Sequence, residues 1–222
     1  MIIGNGLIAN SLKNIDSEDL VFFASGVSNS LENKSSEFER DFSLLKATLE
    51  NNRTAKFIYF STLSINDQSK QDSLYVLHKK EIENYIKNYA ENYLILRIGN
   101  IVGKGGNPNT LFNFLNTQIT NDRQFVVHSN ARRLLIDIDD ISNFLKSNCA
   151  DIKNEIINCA YPYYYNLKEI IEVIQIKTDK KAIYEETNEG DFYKVPFDKN
   201  ISDFFSGIDS DEYLELLVKK YI

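Results

Sequence analysis

Short runs of consecutive apolar residues alternate along this chain with longer stretches in which apolar positions recur every three or four residues. Residues 20–24 (LVFFA), 56–60 (KFIYF), 93–98 (YLILRI) and 156–159 (IINC) are of the first kind. A short, nearly continuous apolar run is what a strand covered on both faces requires. Residues 36–51 are of the second kind, with Phe38, Phe42, Leu45 and Leu49 at helical spacing. So are residues 73–90, where Tyr75, Lys79, Ile82, Tyr85 and Ile86 fall near one face. Further helices are expected near 109–120, 139–146, 166–177 and 211–220, with a strand near 124–128 and a hydrophobic run around 134–138. Strands alternating with helices predict an α/β chain whose parallel sheet carries helices on both faces. No repeat and no Pro- or Ser-rich linker interrupts the pattern, so 1–222 is expected to form a single domain.

Composition narrows this picture. A chain of 222 residues is long enough to bury a sizeable core. Its 43% hydrophobic and 26% charged residues are ordinary for a soluble globular protein. A net charge of −7 argues against a broad phosphate-tracking surface, so nucleic acid is not an expected partner. A local basic pocket for one diphosphate is compatible with it. The sequence offers neither a long apolar span nor the charged and apolar regions of a signal peptide, so a cytoplasmic protein without membrane contact is expected. Cys149 and Cys159 then stay reduced. With no metal-like spacing to each other, to His78 or to His128, they read as small core residues, and no metal site is expected.

Two constellations carry candidate chemistry. Gly4-Asn5-Gly6-Leu7-Ile8-Ala9 is a GxGxxA turn between a first strand and an apolar helix. Such a turn needs small residues: Gly4 for its tightness, Gly6 for close backbone approach to a pyrophosphate, and Ala9 for packing of helix on strand. The free N–H groups and positive dipole end of the helix favour phosphate there. The second is Tyr75-Val76-Leu77-His78-Lys79, in which a phenol and an ammonium one helical turn apart address the same ligand. A neighbouring cation favours phenolate and suits the tyrosine to acid/base work, although a core tyrosine beside a snorkelling lysine has the same spacing. Thr62, at the carboxyl end of the 56–60 run, stands where open parallel sheets bind ligands, with Ser61 and Ser64 as rivals for its place.

Taken together, these blocks resemble the extended short-chain dehydrogenase/reductase family, in its epimerase/dehydratase, nucleotide-sugar branch. FIYFSTLSIND followed by LYVLHKKEIE is similar to the family's strand–Ser–Ser/Thr…Tyr-x-x-x-Lys…Glu block. Leu96 to Gly103, Arg133 to Ile141, Asn158-Cys159-Ala160 and Val21 to Gly26 resemble further blocks in the family's order, covering residues 1 to about 180. The resemblance implies a Rossmann-like doubly wound sheet over 1–150, with a small substrate cap over 151–222. It implies NAD or NADP held by Gly4, Asn5, Gly6, Leu7, Ile8, Ala9, Ala24, Ser25, Gly26, Tyr75 and Lys79. Catalysis would fall to Thr62, Tyr75 and Lys79, and a nucleotide-sugar would meet Ser64, Asn100 and Arg133. Arg133 reads equally as a partner of Asp137, Asp139 or Asp140. A homodimer through 36–51 and 73–90 is implied, with Phe38, Tyr85 and Tyr89 either in its interface or in the core.

The chain also departs from the branch. Few residues separate the glycine turn from the 20–24 run, which aligns to the family's fourth strand, so a segment equivalent to the second and third strands is missing. That segment frames the adenine and selects NAD or NADP. No acidic residue ends the 20–24 strand, where one usually grips the ribose. The stretch between Thr62 and Tyr75 is short, and Asp41 stands where Asn is usual. Leu63-Ser64 replace the Asp-Glu of dehydratases, removing the acid that would expel water. The expected reaction is 4-keto reduction of a deoxysugar nucleotide. Epimerisation, and a pseudoenzyme that binds a nucleotide-sugar or protein partner, are the alternatives.

Overall fold

The computed structural model describes residues 1–190 and 192–222. Its centre is a five-stranded, wholly parallel sheet: β1 (Ile2–Ile3), β2 (Leu20–Phe23), β3 (Lys56–Thr62), β4 (Tyr93–Ile98) and, later in the chain, β9 (Glu155–Cys159), in the spatial order β1-β2-β3-β4-β9. Between β4 and β9 lie β5 (Asn100–Val102), β6 (Gln124–His128), β7 (Arg132–Arg133) and β8 (Leu135–Asp137). β10 (Tyr165–Asn166) and β11 (Ile183–Thr187) follow. They form three two-stranded pairs: β5 with β8, β6 with β11, and β7 with β10. The helices are α1 (Leu7–Ser11), α2 (Ser35–Asn51), α3 (Leu74–Tyr89), α4 (Leu111–Thr120), α5 (Ile138–Asn148), α6 (Leu167–Thr178), α7 (Lys199–Phe204) and α8 (Ser210–Tyr221).

Alternation along the buried strands builds both layers. Phe57 and Tyr59 of β3, with Val21 and Phe23 of β2, pack against Leu45 and Leu49 of α2 and Ile82 and Ile86 of α3. Phe22, Ile58, Phe60, Leu94 and Leu96 face the opposite way, onto a core completed by α4, α5, α6 and α8. This is the expected Rossmann-like, doubly wound architecture. It is also reduced: β1 is only two residues long and pairs with β2 alone, at the sheet's edge.

Four features lay outside the sequence expectation. α7 and β11 occupy the stretch read as irregular, and β11 pairs in parallel with the half-exposed β6. Lys56, read as part of an apolar run, is buried at the start of β3, and its ammonium donates to the carbonyls of Cys149 and Ile152 at the end of α5. A cation there satisfies carbonyls that the helix leaves open. Asp137 caps α5 and binds Lys220 of α8 (2.7 Å), while Asp140 accepts from Tyr213 (2.7 Å), so the terminal helix is tied to the core.

Candidate active site

A cleft of about 640 Å³ opens along the carboxyl ends of β1, β2, β3 and β4. It lies within the size range of small-molecule and cofactor sites. Each strand delivers one part of its wall. The Gly4–Ile8 segment leaves β1, Ala24, Ser25 and Gly26 leave β2, and Thr62 and Ser64 leave β3. Tyr75 and Lys79 enter from α3, and Asn100 from the end of β4. The far wall is formed by 106–111, Leu134 and Tyr193.

The two glycines of the first turn differ in kind. Gly4 has φ +125°, and a Cβ on it would lie 2.6 Å from the Ala24 carbonyl oxygen, so it is required by the packing of β1's exit against β2's. Gly6 has ordinary extended backbone, φ −77° and ψ −170°, and a Cβ there meets nothing within 4 Å. The protein leaves that space empty beside the first N–H groups of α1. Ala9 is buried and does not line the cleft; its small side chain serves the packing of α1.

Tyr75 and Lys79 are both buried, at 9% and 5% exposure. Burial pushes the Tyr75 phenol up to about 12; the nearby Thr62 hydroxyl acts in the opposite direction and the charge of Asp41 adds to the rise. The Thr62 hydroxyl oxygen also accepts the Ser64 N–H (3.1 Å). Burial holds the Lys79 ammonium below the usual lysine range, against the pull of Asp41 and Glu83. Lys79 Nζ stands 5.0 Å from the Tyr59 ring centre and 5.7 Å from that of Tyr75, and reaches the Phe60 carbonyl only at 3.5 Å. Ser61 is committed elsewhere: its hydroxyl donates to Glu83 (2.6 Å), which Arg97 grips at 3.0 and 2.6 Å. Of the three candidate hydroxyls, Thr62 is the one that lines the cleft close enough to Tyr75 to bear on its phenol.

The residues proposed for a sugar nucleotide divide. Ser64 lines the cleft with Tyr193, whose phenol burial pushes up to about 12. Asn100 lines it too, but its carboxamide donates to the Leu134 carbonyl (3.1 Å). Arg133 is half-buried behind the wall, where it donates to the Arg132 carbonyl (2.9 Å), and burial lowers its guanidinium. It does not pair with Asp137, Asp139 or Asp140, which take Lys220, Tyr221 and Tyr213 instead.

The lining as a whole has a sign. Among the described residues of the lining, Arg40 and Lys79 are the charged ones, with no carboxylate, in a protein of net charge −7. An unbalanced cationic cleft with exposed backbone N–H groups suits a phosphorylated ligand. The open space at Gly6 and the unsatisfied donors of Lys79 fit the pyrophosphate and a ribose of a nicotinamide dinucleotide. Among the described residues, no cluster of three or more His, Cys, Asp or Glu could hold a metal ion, and no helix is long and apolar enough to cross a membrane.

Sequence reasoning missed Tyr193, which lies in a stretch without periodicity, and it missed a buried pair behind the cleft. Asp41 Oδ2 lies 2.8 Å from His78 Nε2, and both side chains are almost fully enclosed. In the sequence Asp41 stands out only as a departure from the family pattern, and His78 carries no site signal. The pair joins α2 to α3, which no local motif reports.

The class of fold this architecture defines is found in nucleotide-sugar enzymes. The UDP-N-acetylglucosamine 4-epimerase of Methanobrevibacter ruminantium, solved with UDP-N-acetylmuramic acid, superposes with a TM-score of 0.74 over 98% of this chain and 80% of its own, at 19% identity. The Bordetella bronchiseptica enzyme WbmH in complex with NAD+ gives 0.72 over 99% and 80%, at 15% identity. RMD from Pseudomonas aeruginosa, complexed with NADPH, gives 0.69 over 91% and 81%, at 12% identity. No protein-family model matches the sequence, and no curated protein matches it. The likeness is one of fold, and the neighbours that carry it are epimerases, dehydratases and reductases of the extended short-chain dehydrogenase/reductase family.

Proposed function

We propose that this chain is an NAD(P)-dependent oxidoreductase of the extended short-chain dehydrogenase/reductase family. Its proposed reaction is 4-keto reduction of a deoxysugar nucleotide. The observation that carries the reading is the joint placement of Thr62, Tyr75 and Lys79 in one cleft with the Gly4–Ile8 turn, a cleft whose described lining carries no carboxylate. A bound dihydronicotinamide supplies the hydride. The protein's own residues do the rest. Gly6 and the following N–H groups take the pyrophosphate, Ala24, Ser25 and Gly26 let the cofactor lie close to the sheet, and Lys79 holds the nicotinamide ribose. Thr62 orients the substrate carbonyl, and Tyr75 delivers a proton to the oxygen as it gains charge. Ser64 and Tyr193, with Asn100, line the side left for the sugar; Arg133 would have to turn into the cleft to meet the diphosphate.

Leu63-Ser64 stand where dehydratases carry their acidic pair, which disfavours elimination of water. Epimerisation, which uses the same tyrosine and a cofactor retained through the cycle, is the alternative. Two assays separate the readings. Calorimetric titration with NADH and NADPH should give saturable binding of at least one, and no binding by folded protein sinks the cofactor assignment. A keto-sugar nucleotide should then consume dihydronicotinamide in step with product; conversion without net consumption identifies an epimerase. A homodimer through α2 and α3 is part of the same proposal, because Leu77 and Tyr89 of α3 are exposed there; a monomer in sedimentation would remove it.

A further inference from the structure

Beside Thr62 the wall of the cleft changes character. Leu63 follows Thr62 directly, and it lines the cleft together with Leu134 and Tyr193. These side chains belong to a small apolar cluster set apart from the two main cores. Leu63, Leu134, Ala160 and Val195 are buried in it, and Tyr193 packs half-buried against them. An apolar shelf of this kind, opening on a cleft that also carries polar groups, is what recognises the apolar part of a ligand.

The shelf is held from behind. The Leu134 carbonyl accepts from the backbone N–H of Asn100 (2.8 Å) and from its carboxamide (3.1 Å). Gly99 allows that approach, since a Cβ there would lie 2.8 Å from the same carbonyl oxygen and 2.9 Å from the Ala160 Cβ. Tyr193 sits in the segment 192–197 that leads into α7. That segment is tied down by the Val195 N–H, which donates to the Tyr164 phenol (2.8 Å), and by the Asn158 carboxamide, which donates to the Pro196 carbonyl (2.8 Å). A wall fixed in this way is in place before the ligand arrives, so little entropy is lost in ordering it.

The bonding of a hexose says what meets the shelf. With the C4 carbonyl at Thr62 and Tyr75, C5 is the next ring atom and carries C6. C6 is the one exocyclic carbon of the ring, and as a methyl group it is wholly apolar. We propose that Leu63, Leu134 and Tyr193 form the seat of a C6 methyl, so that the substrate is a 6-deoxy-4-keto sugar on a nucleotide, and that Tyr193 is the residue that discriminates it from a sugar with a C6 hydroxyl. The inference rests on the sugar-nucleotide reading above and narrows it. A methyl gains by leaving water for Leu63 and the Tyr193 ring, whereas a hydroxyl in the same place gives up its water against an apolar surface.

Equilibrium binding tests this without turnover. Glucose and 6-deoxyglucose are compared as their UDP, dTDP and GDP conjugates by calorimetric titration of the full chain. On a nucleotide that binds, the 6-deoxy sugar should bind about tenfold or more tightly. Tyr193→Ser should shrink that preference below about threefold, by weakening the 6-deoxy conjugate and leaving the hydroxylated one nearly unchanged. Tyr193→Phe should keep the preference, because the ring and not the phenol hydroxyl makes the seat. The wild-type preference stands as a test even if Tyr193→Ser fails to fold. Equal affinity of wild type for both sugars would overturn the inference, as would a preference untouched in Tyr193→Ser or lost in Tyr193→Phe. In those cases the nucleotide still binds and only the methyl seat is removed. Absence of binding of every conjugate by folded wild type would instead overturn the sugar-nucleotide reading itself.

Discussion

Replacing Gly6 by valine separates the fold from the site more sharply than any other single change. The backbone at Gly6 is extended, and a Cβ there meets no protein atom within 4 Å, so valine fits without strain. As the residue preceding α1, Gly6 caps the helix without a side-chain bond, and valine is a poorer cap by about 0.5–1 kcal/mol. For a chain of this length that lowers Tm by roughly 1–4 °C. The branched side chain, however, fills the space beside the N–H groups that would receive the pyrophosphate. Loss of two charge-assisted hydrogen bonds at about 1.5–3 kcal/mol each amounts to ~3–6 kcal/mol, or ~10²–10⁴-fold in Kd. Calorimetric titration of wild type and Gly6→Val with the preferred dinucleotide, beside a thermal melt, reads both quantities. Gly4→Ala makes the contrast: with φ +125° and a clash at 2.6 Å, it should destabilise the protein by about 2–4 kcal/mol before any ligand is added. An affinity for Gly6→Val within about threefold of wild type would refute the assignment of the turn to phosphate and leave it a purely structural device.

Two other changes test separate links. Tyr75→Phe should reduce turnover of a keto-sugar nucleotide by ~10²–10⁴-fold while leaving circular dichroism unchanged; undiminished turnover removes the phenol from the reaction. Because burial lowers the Lys79 ammonium, dinucleotide affinity should fall at alkaline pH as that proton is lost, and it should do so in Tyr75→Phe as in wild type. Lys56→Met should cost about 2–4 kcal/mol in urea denaturation, since it strips the carbonyls of Cys149 and Ile152 of a buried donor. A loss below ~0.5 kcal/mol would mean that α5 ends without needing the cation.

What could be read in the sequence was whatever lies close together in it. The glycine turn, the buried strands and the Tyr75–Lys79 pair each occupy one turn or one strand, and period and spacing exposed them. Thr62 followed from its place at a strand end. The Asp41–His78 pair joins positions 37 residues apart, and His78 sits inside a motif whose other members drew the chemistry. Tyr193 lies in a segment with no period to place it. β11 was hidden because all five of its residues, Ile183–Thr187, are half or fully exposed along an edge pair, so no apolar run marks them. Arg133 was assigned by motif position, but the chain turns its guanidinium toward its own backbone and gives the three nearby aspartates to α8.

The shortened edge has an energetic consequence that can be measured. β2 and β3 supply most of the sheet's share of both helical layers, with Ile2 and Ile3 of β1 packed at their margins, so loss of the strands beyond β1 costs the core little. The loss falls on the ligand, because those strands frame the adenine in the family this chain resembles. A framed adenine buries on the order of 100 Å² of apolar surface, about 2–3 kcal/mol, or ~30–100-fold in affinity. At an open edge most of that gain disappears, and binding should depend on phosphates, ribose and nicotinamide. Exchanging adenine for cytosine in the dinucleotide should therefore change Kd by less than about threefold, whereas removing the phosphates should abolish binding. The segment that can contradict this is the loop after β2, where Leu31 lines the cleft at 83% exposure. A tenfold or greater loss on base exchange, restored to the smaller value by Leu31→Ser, would show that this loop has taken over the frame that the missing strands supply elsewhere.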